Sequence, residues 1–237
     1  MNDFHSHILP GIDDGSHSLD ETQQMLRMAQ EQGVTKIIAT PHFYASEISV
    51  GDFLNRRGRA LQHVRELAEK ELWIPEILTG AEVYYFPGMG RAGMLSQMCI
   101  EGTSLLLLEM PFAQWTKDML KEIQNIIDKQ KLTIILAHVE RYYECQRKKE
   151  IWNSILELPL YIQVNAGALQ NRKKKNCIFK LIKNDFSVIM GSDCHNTTSR
   201  PPNLQDGCEV LCKKFGDSII QTIDHLGKRI LEEYETK

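Results

Sequence analysis

Two histidines, His5 and His7, stand two residues apart in the segment DFHSH near the start of the chain. Alternate residues of a β-strand point to the same face of that strand, so both imidazoles can bind one ion. Neutral imidazole is the commonest metal ligand among protein side chains. The spacing therefore predicts that the first strand contributes a pair of ligands to a metal site.

Residues of the same chemical kind end, or directly follow, other short apolar segments. They are His42, Glu82, Glu109, His138 with Arg141, Asp193 and His195. Five of the eight histidines, counting His5 and His7, occupy such positions, and chance does not readily explain this arrangement. A set of nitrogen and oxygen donors without thiolates suits manganese, iron or zinc.

These residues need a fold that brings distant segments together. Seven short aliphatic segments are strand candidates: NDFHSHI, TKIIATPH, EILTGAEVYY, TSLLLLEMP, LTIILAHVER, YIQVNAGAL and FSVIMGSDCH. Between them lie longer segments, such as LDETQQMLRMAQEQG and QWTKDMLKEIQNIIDKQK, with apolar residues at helical spacing. This alternation predicts an α/β fold of parallel strands joined by right-handed crossovers. Because the carboxyl ends of such strands meet at one edge, we expect the candidate ligands to converge on one cleft.

Composition narrows the function classes further. The chain has 237 residues and shows no low-complexity linker or repeat, so we expect a single domain over residues 1–237. A formal charge of -3 gives no general indication of nucleic-acid or anionic-membrane binding. Neither a membrane-spanning run nor a signal peptide is recognisable, and six scattered cysteines without CxxC pairs fit reduced thiols. We expect a cytoplasmic protein.

Segments along nearly the whole chain resemble the PHP (polymerase and histidinol phosphatase) superfamily, and within it the CpsB/YwqE-type manganese-dependent protein-tyrosine phosphatases of capsule and exopolysaccharide synthesis. They are DFHSHILPGIDDGS, ATPHF, GAEVYY, LLLLEMP, AHVERY, QVNAGAL and GSDCHN. The resemblance implies a distorted seven-stranded (β/α)7 TIM-like barrel of the PHP type, with the metal site at the carboxyl ends of the strands. The seven strand candidates agree with it.

The resemblance also implies three divalent metal ions, with manganese favoured and iron or zinc as alternatives. The first ion would be bound by His5, His7, Glu82 and Asp193. Glu82 would bridge to a second ion, also bound by Glu109 and His138. The third ion would be bound by Asp14, His42 and His195.

Three divalent ions outweigh the four carboxylates of this set, so the site should attract a phosphate dianion. We expect a metal-activated hydroxide to hydrolyse phosphotyrosine by in-line attack. Arg141 would bind phosphoryl oxygens, Glu82 would bridge two ions, and His195 would assist as a proton donor. A surface ion pair with Glu140 or Glu144 is the alternative for Arg141. By resemblance, the partner is the phosphotyrosine tail of a bacterial tyrosine kinase that regulates capsular or exopolysaccharide synthesis.

Three other functions remain open at the level of sequence. The site could act on a small phosphomonoester such as histidinol phosphate, or belong to a non-catalytic metal-binding regulatory module. Cys194 and Arg200 also satisfy the C-x5-R spacing of cysteine-dependent tyrosine phosphatases. However, the intervening HNTTS lacks glycine, and Pro201 follows directly, which disfavours a phosphate-binding loop.

Two surface features have unsettled roles. Aromatic residues follow the candidate ligands and either flank the phenyl ring of a substrate or pack between barrel and helices; they are Phe43, Tyr44, Tyr84, Tyr85, Tyr142 and Tyr143. The basic run from Asn171 to Asn176 is either a solvated helix start or a docking site for an acidic or multiply phosphorylated peptide.

Overall fold

Parallel strands and helices alternate through the computed structural model, which describes residues 1–71 and 73–235. The strands are β1 (Asn2–Ser6), β2 (Lys36–Ala39), β3 (His42–Phe43), β4 (Glu76–Thr79), β5 (Glu82–Tyr84), β6 (Leu105–Glu109), β7 (Thr133–Leu136), β8 (Tyr161–Asn165) and β9 (Val188–Gly191). The helices are α1 (Leu19–Glu31), α2 (Val50–Lys70), α3 (Lys117–Gln130), α4 (Lys149–Leu156), α5 (Arg172–Lys183), α6 (Leu204–Phe215) and α7 (Ser218–Glu233). Each of the seven segments predicted as strands contains at least one strand, so the α/β prediction is confirmed.

The strands form two parallel sheets, in the orders β1-β2-β4 and β3-β5-β6-β7-β8-β9. Two predicted strands are each divided into a pair, β2 with β3 and β4 with β5. Pro41 lies in the first break and has no backbone N–H to donate to a neighbouring strand, while Gly80 lies in the second. The described strands are therefore nine in two sheets, where the sequence predicted seven in one.

The first and last strands meet at their carboxyl ends. The backbone N–H of His7 donates to the Cys194 carbonyl at 2.9 Å, and that of Asp193 donates to the His5 carbonyl at 2.7 Å. A parallel bridge also joins Ser6 to Cys194. These contacts bring the ligand candidates of β1 next to those that follow β9.

Alternate residues of the central strands belong to two separate hydrophobic clusters. Leu106 and Leu108 of β6 belong to the larger cluster, which includes residues of the surrounding helices. Leu105 and Leu107 belong to a smaller cluster that α7 contributes to through Ile230. Strand residues with a period of two thus separate an inner apolar layer from an outer one. Glu109, at the carboxyl end of β6, lies on the same face of the strand as Leu105 and Leu107.

Helix starts follow the expected capping chemistry. Ser18, Ser49 and Thr116 each accept a hydrogen bond from the backbone N–H three residues later, at the starts of α1, α2 and α3. Of the helices in the described ranges, none is both long and apolar enough to span a bilayer.

Candidate metal centre

Side chains from several strands and the turns that follow them converge around one buried carboxylate, that of Glu82. Its side chain is 1% exposed. One oxygen, Oε2, lies 3.0 Å from His5 Nε2, 3.3 Å from His7 Nε2 and 3.0 Å from His42 Nδ1. The other oxygen, Oε1, lies 2.8 Å from His138 Nε2. Four imidazoles from three parts of the sheet, β1, β3 and the turn after β7, therefore surround a single carboxylate, as the sequence predicted for the cleft.

Hydrogen bonds behind the imidazoles fix which ring nitrogen faces this centre. His5 Nδ1 lies 3.0 Å from Gln163 Oε1, and His7 Nδ1 lies 2.7 Å from Asp13 Oδ2. His195 Nδ1 lies 3.0 Å from the backbone carbonyl of Asp193. Because an acceptor faces each Nδ1, that nitrogen carries the proton and the Nε2 lone pair is free to bind a cation.

The sequence-predicted ligands fall into three overlapping groups whose donor atoms lie within 4.8 Å of one another. The groups are His7 with Asp14, His42 and His195; His5 with His7 and Asp193; and His42 with Glu82 and Glu109. His138 Nε2 also lies 3.5 Å from Glu109 Oε1. All nine predicted ligands are thus gathered, although His7 and His42 are each shared between two groups.

Asp14 reaches the centre from a loop rather than from a strand. Its carboxylate is 65% exposed and lies 3.4 Å from both His42 Nε2 and His195 Nε2. The loop turns back on β1 at Gly15, where an added Cβ would lie only 2.2 Å from the His7 carbonyl oxygen. Glycine at this position is what allows the Asp13–Asp14 loop to approach the imidazoles.

Several buried polar atoms in the centre form no hydrogen bond of acceptable geometry with the described residues, although some of them, such as His42 Nδ1 and Glu82 Oε2, lie close together. They are His42 Nδ1, Glu82 Oε2, Glu109 Oε2, His138 Nδ1 and His195 Nε2. Buried polar atoms are normally paired, so such a concentration requires an explanation. All of these atoms but His138 Nδ1 belong to residues of the three groups, and a nitrogen–oxygen set of this kind fits divalent cations.

Groups of opposite charge lie side by side in this buried space and shift one another's pKa values. Although burial opposes it, hydrogen bonds to Glu109 and Glu82 raise the pKa of His138 to about 9. Burial alone would raise the pKa of Glu82, but the surrounding imidazoles, His5 first among them, hold it well below its usual range. Burial and the neighbouring His7 lower the pKa of His195 to about 4.

Asp193 is contacted by two arginines and one amide. The Arg141 guanidinium donates to Asp193 Oδ2, and Arg200 Nη2 donates to Asp193 Oδ1 at 2.8 Å. Asn165 Nδ2 donates to the same carboxylate at 2.7 Å. Arg141 therefore faces the centre, in place of the surface pair with Glu140 or Glu144 considered from the sequence.

Two predicted ligands have left-handed backbone conformations that non-glycine residues seldom adopt. The φ angle is 28° at His138 and 53° at Asp193. Such conformations cost about 1 to 3 kcal/mol each and persist where the surrounding structure enforces them. At His138, the backbone N–H donates to Gln163 Oε1 at 2.7 Å, which holds the residue after β7 in this position.

Cys194 does not have the properties of a catalytic thiol. Its side chain is 2% exposed. Burial raises the pKa of the Cys194 thiol to about 12, whereas a nucleophilic cysteine requires an accessible thiolate. Arg200, the other member of the C-x5-R spacing, donates to Asp193 instead. The structure therefore argues against the cysteine-dependent mechanism.

The aromatic residues near the ligands divide into two groups. Phe43 and Tyr142 are fully buried, and the Tyr142 hydroxyl accepts a hydrogen bond from the Met110 backbone N–H, so both are packing residues. Tyr44 is partly exposed, with its ring centroid 5.3 Å from that of His42 and 5.5 Å from that of Tyr84. Tyr44 and Tyr84 therefore remain available to a ligand.

Sequence reasoning missed several residues that support the centre. Phe112, 49% exposed, stacks on His138 at a centroid distance of 5.9 Å. Asp13 lies between His7 Nδ1 and the His42 backbone N–H, and Arg200 was considered only with Cys194. Gln163 and Asn165 lie two residues apart at the end of β8 and share one face of it. Their alternation repeats the His5–His7 spacing and could have identified them.

Nearly the whole chain matches the model of a known family. It belongs to the family described as capsular polysaccharide synthesis, CpsB/CapC, which matches residues 1–230. The resemblance recognised in the sequence motifs is confirmed.

Curated proteins that are similar to this chain include tyrosine-protein phosphatases. The chain is 28% identical over 225 residues to the tyrosine-protein phosphatase CpsB of Streptococcus agalactiae serotype III (strain NEM316), covering 91% of each chain. It is 25% identical over 229 residues to the tyrosine-protein phosphatase YwqE of Bacillus subtilis (strain 168), covering 92% of this chain and 87% of YwqE.

A solved structure agrees in fold. One solved structure superposes on this chain with a TM-score of 0.86 at 23% identity. It comes from a description of YwqE from Bacillus subtilis and CpsB from Streptococcus pneumoniae as unique metal-dependent tyrosine phosphatases. The match covers 100% of this chain and 96% of that chain.

Proposed function

We propose that this protein is a metal-dependent phosphatase that hydrolyses phosphotyrosine in proteins. The observation that carries the proposal is the Glu82 centre, where nitrogen and oxygen donors converge and buried lone pairs lack partners. Membership of the CpsB/CapC family and the names of the CpsB and YwqE relatives support the same activity.

We propose that the centre binds three divalent cations and that manganese is the preferred metal. His5, His7, Glu82 and Asp193 would hold one ion. Glu82, Glu109 and His138 would hold a second. Asp14, His42 and His195 would hold a third. When bound, such ions lower the pKa of coordinated water and neutralise charge on a phosphoryl group.

The other residues of the centre bind and orient. Arg141 and Arg200 offer guanidinium donors beside Asp193, and planar guanidinium groups are suited to phosphoryl oxygens. Asn165 and Gln163 hold Asp193 and the His5 ring in place. His195 Nδ1 faces the Asp193 carbonyl, so its Nε2 is directed toward the centre as a metal ligand would be.

Phosphotyrosine fits the surroundings of this centre. Tyr44 and Tyr84 form an aromatic pair on one side of it, and Phe112 lies exposed over His138. Aromatic pairs contribute attraction beyond their buried area, so these rings would favour an aryl phosphate over an alkyl phosphate. The substrate we propose is the phosphotyrosine segment of a bacterial tyrosine kinase of capsular or exopolysaccharide synthesis.

We further propose that residues 1–237 form one domain whose nine strands build a distorted seven-stranded barrel. The breaks at residues 40–41 and 80–81 would divide two barrel strands, and the Ser6–Cys194 bridge would join the last strand to the first. The six cysteines are free, which fits our proposal of a cytoplasmic location.

The activity can be tested with purified protein. We expect hydrolysis of p-nitrophenyl phosphate and of a phosphotyrosyl peptide, loss of both on chelation, and recovery on addition of manganese. Histidinol phosphate, assayed under the same metal condition, should be turned over more slowly than the peptide. Faster turnover of histidinol phosphate would indicate a small-molecule phosphatase. Metal-loaded protein that hydrolyses no aryl phosphate would indicate a non-catalytic metal-binding module.

A further inference from the structure

Six basic residues lie on two neighbouring segments of the surface that follow β7 and β8. We call this surface the basic rim; it consists of Arg147, Lys148, Arg172, Lys173, Lys174 and Lys175. Within residues 144–148 and 171–175, only Glu144 carries a negative charge. This concentration is opposite in sign to the net charge of -3 of the whole chain.

Direct contacts hold the two segments together. Lys173 Nζ lies 3.0 Å from Glu144 Oε1, and helix α5 packs against the turn that contains Arg141. The loop before α4 is fixed by Lys149, whose Nζ donates to the Tyr143 carbonyl at 2.7 Å and lies 3.6 Å from the Tyr143 ring centroid. The rim is therefore built on a defined loop and the first turn of a helix.

Most of the charge of the rim lacks a counter-charge. Apart from the Lys173–Glu144 pair, none of the six side chains forms an ion pair within residues 1–71 and 73–235. Lys173 remains 80% exposed in that pair. Four of the six charges lie in the first turn of α5, which contains no acidic residue, although the helix dipole disfavours cations at that end. Local helix stability therefore does not explain them.

The rim lies at the same edge as the Glu82 centre. Asn165, which donates to Asp193, ends β8, and the five-residue 3-10 helix Ala166–Gln170 leads from it to α5. At about 2 Å per residue, this helix places the start of α5 roughly 10 Å from Asn165, and we take about 20 Å as the distance to the far side of the rim. An extended peptide covers about 3.3 to 3.6 Å per residue. Three to six residues of such a peptide would reach from one to the other.

We propose that the basic rim binds an acidic segment of the phosphoprotein substrate, about three to six residues away from the phosphotyrosine. The recognising chemistry is carboxylate or phosphate against the guanidinium and ammonium groups of the rim. This inference rests on the proposed function. It adds a preference for acidic neighbouring sequence that the Glu82 centre does not itself provide.

A peptide series tests the distance. Each peptide contains one phosphotyrosine and two glutamates, placed 1–2, 4–5 or 11–12 residues away, with glutamine at those positions in the reference peptide. We expect kcat/KM to be about tenfold higher for the 4–5 peptide than for the reference at low salt. The gain should come mainly from KM and should shrink as added salt shortens the range of the charges. Equal values for all peptides would overturn the proposal.

A charge-reversed pair tests the residues. Arg172→Glu/Lys173→Glu should remove the preference for the 4–5 peptide and leave turnover of p-nitrophenyl phosphate unchanged. The helix should tolerate it, because acidic residues suit a first turn. Lys213→Glu/Lys214→Glu, in the last turn of α6, is the matched control with the same change in charge. An equal loss in the control variant would show a general charge effect and would contradict a specific rim.

Binding without catalysis separates this inference from the proposed function. A fluorescent peptide with the two glutamates, but without phosphotyrosine, should bind the unmodified chain more tightly than Arg172→Glu/Lys173→Glu in an anisotropy titration. Equal binding would refute the rim even if phosphotyrosine is hydrolysed. Absence of all phosphatase activity would refute the proposed function alone. Binding to phosphatidylglycerol vesicles without binding of the peptide would assign the rim to membranes and would also overturn the proposal.

Discussion

Replacement of Glu82 by glutamine is the sharpest test of the metal centre. The substitution keeps the shape of the side chain and removes one negative charge. That charge lies within 3.3 Å of nitrogen atoms from His5, His7, His42 and His138. A side chain that is 1% exposed receives little compensation from water. A change in charge should therefore act directly on the cations that these donors bind.

The magnitude follows from the spacing of the centre. Two unit charges about 4 Å apart interact by roughly 4 kcal/mol at an effective dielectric constant of 20, and a divalent ion doubles the charge. The amide oxygen of glutamine would restore part of this as a neutral ligand. A net loss of about 4 kcal/mol corresponds to a factor of about 10³. We expect Glu82→Gln to lower kcat/KM for p-nitrophenyl phosphate by at least about that factor and to bind fewer manganese ions.

The assay combines elemental analysis with a manganese titration of the rate. Glu140→Gln is the matched control for metal content, since Glu140 is another buried glutamate but contacts the Asn165 backbone and not the histidines. The control should retain the metal content of the unmodified chain. If Glu82→Gln kept a full complement of metal and a rate within about threefold of the unmodified chain, our assignment of a shared carboxylate would be wrong.

Three further substitutions test the aromatic, thiol and backbone arguments. Cys194→Ser should keep most of the activity because the thiol is buried and protonated; a loss above about 100-fold would revive the cysteine mechanism. Tyr44→Leu/Tyr84→Leu should lower the ratio of aryl to alkyl phosphate turnover about 3- to 10-fold, and an unchanged ratio would remove both rings from recognition. Gly191→Ala should destabilise the fold by about 1 to 3 kcal/mol, since the new Cβ would lie 2.9 Å from the backbone of β1. Its control in thermal unfolding is Gly58→Ala, which meets open space on α2 and should not destabilise.

Periodicity and strand-end chemistry predicted the α/β architecture and most of the centre because both depend on local sequence. His5 and His7 share a face through the period of two, and the carboxyl ends of parallel strands meet by topology alone. Asp14 required the family resemblance, since its place depends on a loop that turns at Gly15 toward His7. Local patterns do not encode such a tertiary approach.

Other features depend on packing that one sequence does not reveal. Tyr142 and Tyr84 follow their ligands in the same way, yet Tyr142 is buried against Trp115 and Phe112, whereas Tyr84 is partly exposed beside Tyr44. The division of two strands was also unpredicted, although Pro41 was a visible sign of the first break. Arg200 was not predicted as part of the centre, because its contact with Asp193 depends on the conformation of the loop between them, which the C-x5-R spacing does not indicate.

The buried donors of the centre also predict how metal affects stability. Their lone pairs converge without partners, so binding of cations should stabilise the folded chain much more than the unfolded one. At a metal concentration 100 times Kd, one site contributes about 2.7 kcal/mol. For a chain of this size, that amounts to a rise in Tm of roughly 5 to 11 °C. Differential scanning fluorimetry after chelation and after addition of manganese measures it, and Glu82→Gln should show a smaller rise. An identical Tm in chelator and in manganese would mean that the unpartnered donors bind no cation, whatever activity the protein has.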